Sequence, residues 1–287
     1  MVDPRLRTIF RRGSRTYFNS TRFFPRRVRD DVFRLYGFVR SADTFVDSMP
    51  QKRDEFYAFY EGYRREMAGQ SSGDAVLRGF CEVSRSRGFD PTWAEAFLHS
   101  MELDLKKRVY ETLDDLLVYI HGSAEVIGLM MAAIMELPPA SHHHATRLGR
   151  AMQTINFIRD IQEDGEMGRV YFPQDELDVA GLRDLSRAEA FGHRERFENF
   201  VRRQIVRYRE WQTEAETGFG YIPFRCRVPV KTASDMYRWT ADRIERCPMI
   251  VYRRQVKPPK WRILATGIRN LATAWHTRPL PGDSEEK

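Results

Sequence analysis

Cysteine is scarce in this chain, and its placement excludes two kinds of stabilising cross-link. The 287 residues contain three cysteines, Cys81, Cys226 and Cys247, which lie far apart and form no Cys-x-x-Cys pair. Such spacing fits neither a disulfide framework nor a structural zinc site, and it is typical of a reducing compartment. We therefore expect three free thiols.

Long apolar runs, strand patterns and glycine-rich fingerprints are also missing. No stretch approaches the roughly 18 uninterrupted apolar residues of a transmembrane helix, and the longest run, residues 126–135, is short enough for a buried core helix. Gly218 and Gly220 follow no predicted strand and lack a third glycine, so they do not form a dinucleotide-binding turn. The sequence therefore predicts neither a transmembrane helix nor a Rossmann domain.

Helical periodicity covers almost the whole chain. Apolar residues make up 42% of the sequence, enough for a sizeable core. The segments with apolar residues three to four apart are 26–47, 51–68, 74–87, 92–106, 112–136, 145–163, 186–217, 229–246 and 260–275. Prolines and glycines separate many of them, and no linker divides the chain. Length alone allows one large domain or two small ones, and we expect one all-α domain over residues 1–287.

The net charge of +7 comes mainly from arginine, with nine arginines among the first 29 residues. Arginines in such numbers suit a diphosphate ligand or an anionic membrane, and nucleic acid is the competing partner. No nucleic-acid-binding motif accompanies the charge, so we expect no nucleic-acid partner.

Basic and apolar residues alternate at helical spacing over residues 257–278, with Trp261 and Trp275 among the apolar ones. This pattern predicts a basic amphipathic helix. The helix could lie on a membrane surface, or it could dock on the core of the protein. We expect a cytoplasmic protein, with peripheral contact to a membrane as the open alternative.

The most informative stretch carries polar residues at a helical spacing. Asn156, Asp160 and Asp164 are four residues apart, and Gln153 lies one turn before them, so they share one helix face. Asn and Asp are mediocre helix formers, so their presence among apolar residues needs a reason. Two carboxylates and an amide can share Mg²⁺, or Mn²⁺ in its place, through oxygen ligands. The alternative is a solvated helix face.

A second copy of this spacing strengthens the metal interpretation. Asp43 and Asp47 are again four residues apart, and Arg40 lies one turn upstream, as Arg159 precedes Asp160. Each motif lies in a strongly helical segment and has apolar residues between its carboxylates. Together they favour the metal interpretation over a solvated helix face.

Four segments give the chain a recognisable family pattern. The segments 17–20 (YFNS) and 36–43 (YGFVRSAD) resemble the start of the squalene/phytoene synthase family. The segments 156–164 (NFIRDIQED) and 168–173 (GRVYFP) resemble its second aspartate motif and the flank of that motif. The resemblance extends over nearly the whole chain, and its early start leaves no room for a removable leader, so none is expected.

The resemblance implies an isoprenoid-synthase-type helical bundle around a central cavity and a head-to-head prenyltransferase. Enzymes of this family join two allylic prenyl diphosphates through a cyclopropyl diphosphate. Carboxylates cannot approach a diphosphate directly, so the aspartates act through Mg²⁺ while arginines neutralise the remaining phosphate oxygens. Carried onto this sequence, the expected catalytic residues are Asp43, Asp47, Asp160, Asp164 and Tyr171; the metal ligands are the four aspartates and Asn156; and the substrate-binding residues are Ser14, Tyr36, Arg40, Gln153, Asn156, Arg159, Arg169, Tyr237 and Arg254.

The product is expected to be phytoene, formed from two geranylgeranyl diphosphates by loss of a proton. Squalene or dehydrosqualene from farnesyl diphosphate is the alternative, and NADPH is needed only if the product is squalene. A non-enzymatic assembly factor of the same fold is the other alternative, although the presence of all four aspartates argues against it.

Two positions stand apart from this pattern. Glu125 occupies a place where relatives usually carry a small residue, and a carboxylate facing the substrate channel would change its shape and charge. Asp104 matches a family position near the cavity, whereas its local sequence alone indicates an exposed helix charge.

Overall fold

The computed structural model describes Thr21 and residues 24–274. Ser14, Trp275 and the segment 17–20, which the sequence analysis singled out, lie outside the described residues.

Helices dominate the described chain, as predicted. The elements in chain order are α1 (Arg26–Asp47), α2 (Arg53–Met67), α3 (Ala75–Arg87), α4 (Pro91–Lys106), β1 (Val109–Tyr110), α5 (Leu113–Ile120), a π-helical turn (His121–Glu125), α6 (Val126–Ile134), α7 (His142–Arg159), α8 (Ile161–Glu166), β2 (Val170–Pro173), α9 (Gln174–Ala180), α10 (Arg187–Gly192), α11 (Arg194–Thr217), α12 (Phe224–Arg246) and α13 (Lys260–Ala274). Short 3₁₀ turns fill Pro139–Ser141, Gly218–Tyr221 and Pro248–Tyr252. The all-α expectation is therefore confirmed.

Local signals explain several helix boundaries. The side chain of Asp74 accepts a hydrogen bond from the backbone N–H of Val76 at 2.7 Å, which caps the start of α3. Asp90 caps α4 in the same way, with Pro91 in the first turn. Gly88 ends α3 in a left-handed conformation, φ 62°, which favours glycine. Capping aspartates and a terminal glycine are local signals, so these helix ends can be read from the sequence.

The predicted continuous helix over 145–163 is interrupted at Asp160. That residue has φ −102° and ψ 16°, so α7 ends at Arg159 and α8 begins at Ile161. Hydrogen bonds four residues apart continue through the break, from the N–H of Asp160 to the carbonyl of Asn156 and from Asp164 to Asp160. The interruption agrees with the low helix propensity of Asp. The four-residue hydrogen-bond spacing is nevertheless kept from Asn156 to Asp164.

Two large apolar clusters form the interior. One is built from α1 to α4 with α6, and includes Phe38 stacked on Phe80 at a ring distance of 3.8 Å. The other surrounds α5, α7, α11 and the strand β2. The polar stripe on α1 belongs to a helix of the first cluster, and the stripe on α7 and α8 belongs to helices of the second.

A two-stranded parallel ladder was not predicted. Val109 in β1 lies opposite Val170 in β2, and the backbone N–H of Val170 donates to the carbonyl of Arg108 at 2.9 Å. The strands are two and four residues long, too short to show an alternating pattern. The ladder holds the segment that carries Arg169 and Tyr171 next to the chain that follows α4.

Among the described residues, the helical stretch Leu113–Ile134 is long and apolar enough to cross a membrane by length and composition alone. The sequence analysis did not predict a membrane-spanning helix here, because polar residues divide this stretch into short apolar runs. In its most apolar window, 56% of the residues are buried inside the protein, as in a core helix. All three cysteines are free, as predicted.

The tail helix begins at Lys260 and not at residue 257. Pro258 and Pro259 explain the later start, because a proline disfavours helical geometry in the residue before it and is itself best tolerated at a helix start. The predicted end at residue 278 lies outside the described part of the chain.

Candidate active site

Arg169 connects the two aspartate motifs. Its side chain is 4% exposed and donates to a carboxylate oxygen of Asp47 at 2.9 Å and to the carbonyl of Val46 at 2.6 Å. Its backbone N–H donates to the carbonyl of Asp164 at 2.8 Å. One arginine thus contacts the last turn of α1 and the end of the second motif, and its positive charge lies between the carboxylates.

Behind Arg169 lies a buried carboxylate with two tyrosine hydroxyls. Asp104 is 3% exposed, and it accepts hydrogen bonds from Tyr171 at 2.7 Å and from Tyr119 at 2.8 Å. Desolvation raises the pKa of Asp104 to about 6, although Arg169 and the two hydroxyls act in the opposite direction. The indication of an exposed helix charge at Asp104 is therefore wrong, because α4 turns this side chain inward against α5 and β2.

Tyr171 is held rigidly in this network. Its ring stacks on Phe157 at a centroid distance of 4.3 Å, and its hydroxyl lies 3.4 Å from Nη1 of Arg169. Desolvation and the neighbouring Asp104 raise the pKa of Tyr171 well above its ordinary value. Tyr171 is therefore a protonated hydrogen-bond donor near neutral pH.

The carboxylates of the two motifs repel one another. Desolvation, followed by the charge of Asp47, raises the pKa of Asp43 to about 7, while Arg40 lowers it. Desolvation, followed by the charge of Asp160, raises the pKa of Asp164 to about 8. The charge of Asp47 also acts on Asp164, which shows that the motifs face a common space. A cation there would relieve the repulsion.

Arginines already pair with two further carboxylates of the set. Arg159 donates through Nε to Asp160 at 2.7 Å, within the same turn. Arg40 lies 3.9 Å from Asp43, one turn along α1. Each motif therefore has an arginine beside one of its own carboxylates.

The donor set fits a hard divalent cation. In the part of the chain that the structure describes, no three His, Cys, Asp or Glu side chains are close enough to hold an ion. However, Oδ1 of Asn156 is buried without a hydrogen-bond partner, one turn before Asp160. An orphaned amide oxygen beside mutually repelling carboxylates is an all-oxygen set of the kind that Mg²⁺ prefers.

The remaining predicted residues differ in their distance from the carboxylates and in their exposure. Tyr36 and Tyr237 lie near each other, because Tyr237 is among the groups that raise the pKa of Tyr36 to about 12, after desolvation and Asp43. Gln153 is half-buried on α7. Arg254 is exposed, and among the described residues its side chain makes no hydrogen bond or ion pair.

Sequence reasoning missed the contact between the second motif and the chain that follows Tyr252. Gln255 donates a side-chain hydrogen bond to Glu163, which lies between Asp160 and Asp164. Lys257 also lowers the pKa of Glu163, whereas desolvation raises it. No local signal predicts a contact over 92 residues.

Glu125 does not present a free carboxylate. It is 5% exposed at the end of the π-helical turn, where Arg150 donates to one oxygen and His121 lies 3.0 Å from the other. Close helix packing makes this contact: a Cβ on Gly149 would lie 2.4 Å from the carbonyl oxygen of Ala124. The sequence raised the prospect of a charge in the channel, and Arg150 on α7 neutralises that charge.

Comparisons with known proteins identify the family and the fold. Residues 10–262 match the squalene/phytoene synthase family. The 15-cis-phytoene synthase of Paracoccus sp. (strain N81106 / MBIC 01143) is 28% identical over 264 residues, covering 86% of this chain and 84% of the relative. A dehydrosqualene synthase crystallised with a ligand superposes with a TM-score of 0.78, at 20% identity, over 95% of this chain and 96% of the other.

A second solved structure supports the same fold. The squalene synthase HpnC of Alicyclobacillus acidocaldarius superposes with a TM-score of 0.75, at 20% identity, over 84% of this chain and 92% of the other. The fold, the paired aspartate motifs and the family match lead to one conclusion. The chain belongs to the squalene/phytoene synthase family and is a prenyltransferase that condenses prenyl diphosphates head to head.

Proposed function

We propose that this enzyme joins two molecules of geranylgeranyl diphosphate to form phytoene through a cyclopropyl diphosphate. The observation that carries the chemistry is the convergence of both aspartate motifs on Arg169. The choice of substrate is supported by the sequence relatives, because the Paracoccus protein named above and others at 27–30% identity are phytoene synthases. The two solved structures named above, a dehydrosqualene synthase and a squalene synthase, support the fold alone.

The carboxylates of Asp43, Asp47, Asp160 and Asp164, with the amide oxygen of Asn156, would hold divalent cations. Bound there, Mg²⁺ or Mn²⁺ supplies Lewis-acid neutralisation of the departing diphosphate. The raised pKa values of Asp43 and Asp164 support this assignment, since each carboxylate is desolvated by burial and lies near another carboxylate without enough positive charge to compensate.

Arg40, Arg159 and Arg169 would bind the phosphate oxygens directly. A guanidinium group presents paired N–H donors that match phosphate as well as carboxylate. Arg159 now donates to Asp160, and Arg169 to Asp47. Each arginine can exchange its carboxylate for a phosphate oxygen when substrate arrives, which leaves the aspartate free to ligate a cation.

The wall of the cavity must keep the allylic cation from water. A cavity beside Asp164 and Arg169 is lined partly by apolar and aromatic side chains, Phe157, Ile161, Tyr171, Phe172, Leu185 and Tyr252, and partly by polar ones, Gln162, Glu166, Asp184, Ser186 and Arg187. Aromatic faces carry negative quadrupoles, so they shield a carbocation and stabilise it without attacking it. The apolar part of the lining suits a reaction in which diphosphate departs and a carbon skeleton rearranges.

Tyr171 would act as a positioning donor in this scheme. Its hydroxyl donates to Asp104, and its raised pKa keeps that hydroxyl protonated, so no phenolate is present to accept a proton. The released diphosphate is therefore better suited than Tyr171 to accept the final proton, because its phosphate oxygens are anionic.

Product identification tests the proposal. The purified protein is incubated with Mg²⁺ and either geranylgeranyl or farnesyl diphosphate, each with and without NADPH, and the hydrocarbons are separated and identified. We expect phytoene from geranylgeranyl diphosphate without NADPH. Hydrocarbon from farnesyl diphosphate alone, or a reduced central bond that appears only with NADPH, would assign the protein to the dehydrosqualene or squalene branch.

A further inference from the structure

Helix α13 carries a row of exposed apolar side chains along one face. Trp261, Leu264, Ile268 and Leu271 are 66%, 58%, 59% and 46% exposed. Their spacing of three, four and three residues places them on one side of the helix. We call these four residues the apolar row.

The opposite face of α13 is docked on the protein. Ile263, Thr266 and Asn270 are buried, and Asn270 donates to Asp235 of α12 at 2.8 Å. The helix is therefore fixed through one face while the apolar row points away from the described residues. One face of the tail helix is therefore docked on the protein, and the other face is available to bind a surface.

The apolar row is unusual within this molecule. The described residues leave ten large apolar side chains exposed, and four of them form the row. The other six are Met49, Val109, Val118, Val179, Phe191 and Val206, and no two of them share a helix or strand. Scattered exposed apolar residues need no explanation, whereas a contiguous set indicates a binding surface.

Positive charge accompanies the row. Residues 246–282 contain eight Lys or Arg and no Asp or Glu. Among them Arg253, Arg254, Lys257 and Lys260 are exposed just before the row, and we call residues 253–260 the basic strap. Arg269 is also exposed, and it lies 3.2 Å from Asp235, an acidic group that Lys231 also contacts.

We propose that the apolar row and the basic strap dock on the surface of an anionic lipid bilayer. The row would enter the boundary between headgroups and acyl chains, while the basic strap contacts lipid phosphates. Tryptophan at the end of the row suits this boundary, since its ring is apolar and its N–H is polar.

Charge favours lipid over a second copy of the chain. A symmetric dimer through this face would bring two basic straps together, since a twofold interface uses the same patch on both subunits. An anionic bilayer instead supplies the opposite charge and an apolar interior together. Nucleic acid would match the charge but offers no apolar interior for Leu264 and Ile268.

The docking surface adjoins the candidate active site. Gln255, within the basic strap, donates to Glu163 between the second-motif aspartates. A bilayer-bound enzyme would therefore hold that side of its site near the membrane, where an amphiphilic prenyl diphosphate partitions. The inference goes beyond the proposed reaction, because lipid binding does not depend on which prenyl diphosphate is consumed.

Vesicle flotation of the full chain tests the inference. Vesicles of phosphatidylcholine with phosphatidylglycerol are compared with phosphatidylcholine alone, without substrate. We expect preferential binding to the anionic vesicles, weakened at least about tenfold by the double change Leu264→Gln and Ile268→Gln. The matched control is Val179→Gln with Val206→Gln, exposed valines on α9 and α11, which should bind like the unchanged protein.

The charge contribution is measured separately with Lys260→Gln. Loss of one positive charge should weaken anionic-vesicle binding about fivefold and leave neutral-vesicle binding unchanged. Circular dichroism and thermal unfolding confirm that each variant is folded. Equal vesicle binding by the apolar-row variant and the unchanged protein would overturn the inference. If that variant also turned a dimer into a monomer in sedimentation, the row would be the contact with a second copy.

Discussion

Arg169 donates a hydrogen bond to Asp47 at 2.9 Å across 122 residues of sequence. This ion pair joins the end of α1 to the flank of the second aspartate motif. It places a buried positive charge among carboxylates that would otherwise repel one another without compensation. The relationship turns two helical motifs, each ordinary by itself, into one site.

Removing a motif carboxylate should abolish most turnover without unfolding the protein. Asp43→Asn or Asp160→Asn should lower kcat/KM at least about a hundredfold, near 3 kcal/mol of transition-state stabilisation. Each change also relieves repulsion, so the thermal midpoint should not fall. The control is Asp242→Asn, which removes an exposed carboxylate paired with Arg209. Near-normal turnover by either motif variant, at equal folded fraction, would refute the metal-site assignment.

Metal-free protein should lose stability as the pH rises. The folded-state pKa values of Asp43 and Asp164 are about 7 and about 8, while an unfolded Asp titrates near ~3.9. The folded state therefore binds these protons more tightly, and the free energy of unfolding falls between about pH 4 and pH 8. Urea denaturation in chelator across this range measures the slope. The double change Asp43→Asn and Asp164→Asn should flatten it.

Added Mg²⁺ should reverse this trend. Cation binding requires ionised carboxylates, so it should raise the unfolding midpoint more at pH 8 than at pH 5. Thermal unfolding with and without Mg²⁺ at the two pH values measures the difference. An equal effect at both, or one that survives in the Asp43→Asn and Asp164→Asn variant, would contradict a site built from these aspartates.

Asp104 should matter for both stability and activity. Asp104→Asn leaves one amide oxygen for two tyrosine hydroxyls, so one buried hydroxyl loses its acceptor, at a cost of about 1–3 kcal/mol. Tyr171→Phe should be milder for stability and should still lower kcat, because its hydroxyl also contacts Arg169. Tyr57→Phe is the control, since that hydroxyl donates to the half-buried Glu102. Urea denaturation and steady-state kinetics supply the two measurements.

The Glu125–Arg150 pair should show strong energetic coupling. Arg150→Met leaves a buried carboxylate without its arginine and should cost about 3 kcal/mol, and Glu125→Leu should cost a similar amount. The double variant should be more stable than the sum of the two changes predicts, by about 1–3 kcal/mol. Urea denaturation of all four proteins completes the cycle. Additive effects would mean that the pair is not coupled in solution.

Sequence periodicity was sufficient for most of the fold. The apolar spacing predicted α1 with its observed bounds, and the helices from α2 to α4 within two residues. Asp74 and Asp90 cap the starts of α3 and α4, and Gly88 ends α3. The paired aspartates were visible because a four-residue spacing is a local property of a helix. Family resemblance added the chemistry that spacing alone left open.

Tertiary structure decided what lies between the motifs. The burial of Asp104, the contact of Gln255 with Glu163 and the neutralisation of Glu125 by Arg150 depend on which helix faces meet. The short ladder beside Arg169 is likewise too small to leave a sequence pattern. A sequence fixes which face of its own helix a side chain occupies. Which charge that side chain meets is determined by packing between distant segments, where burial and Coulomb interactions act together.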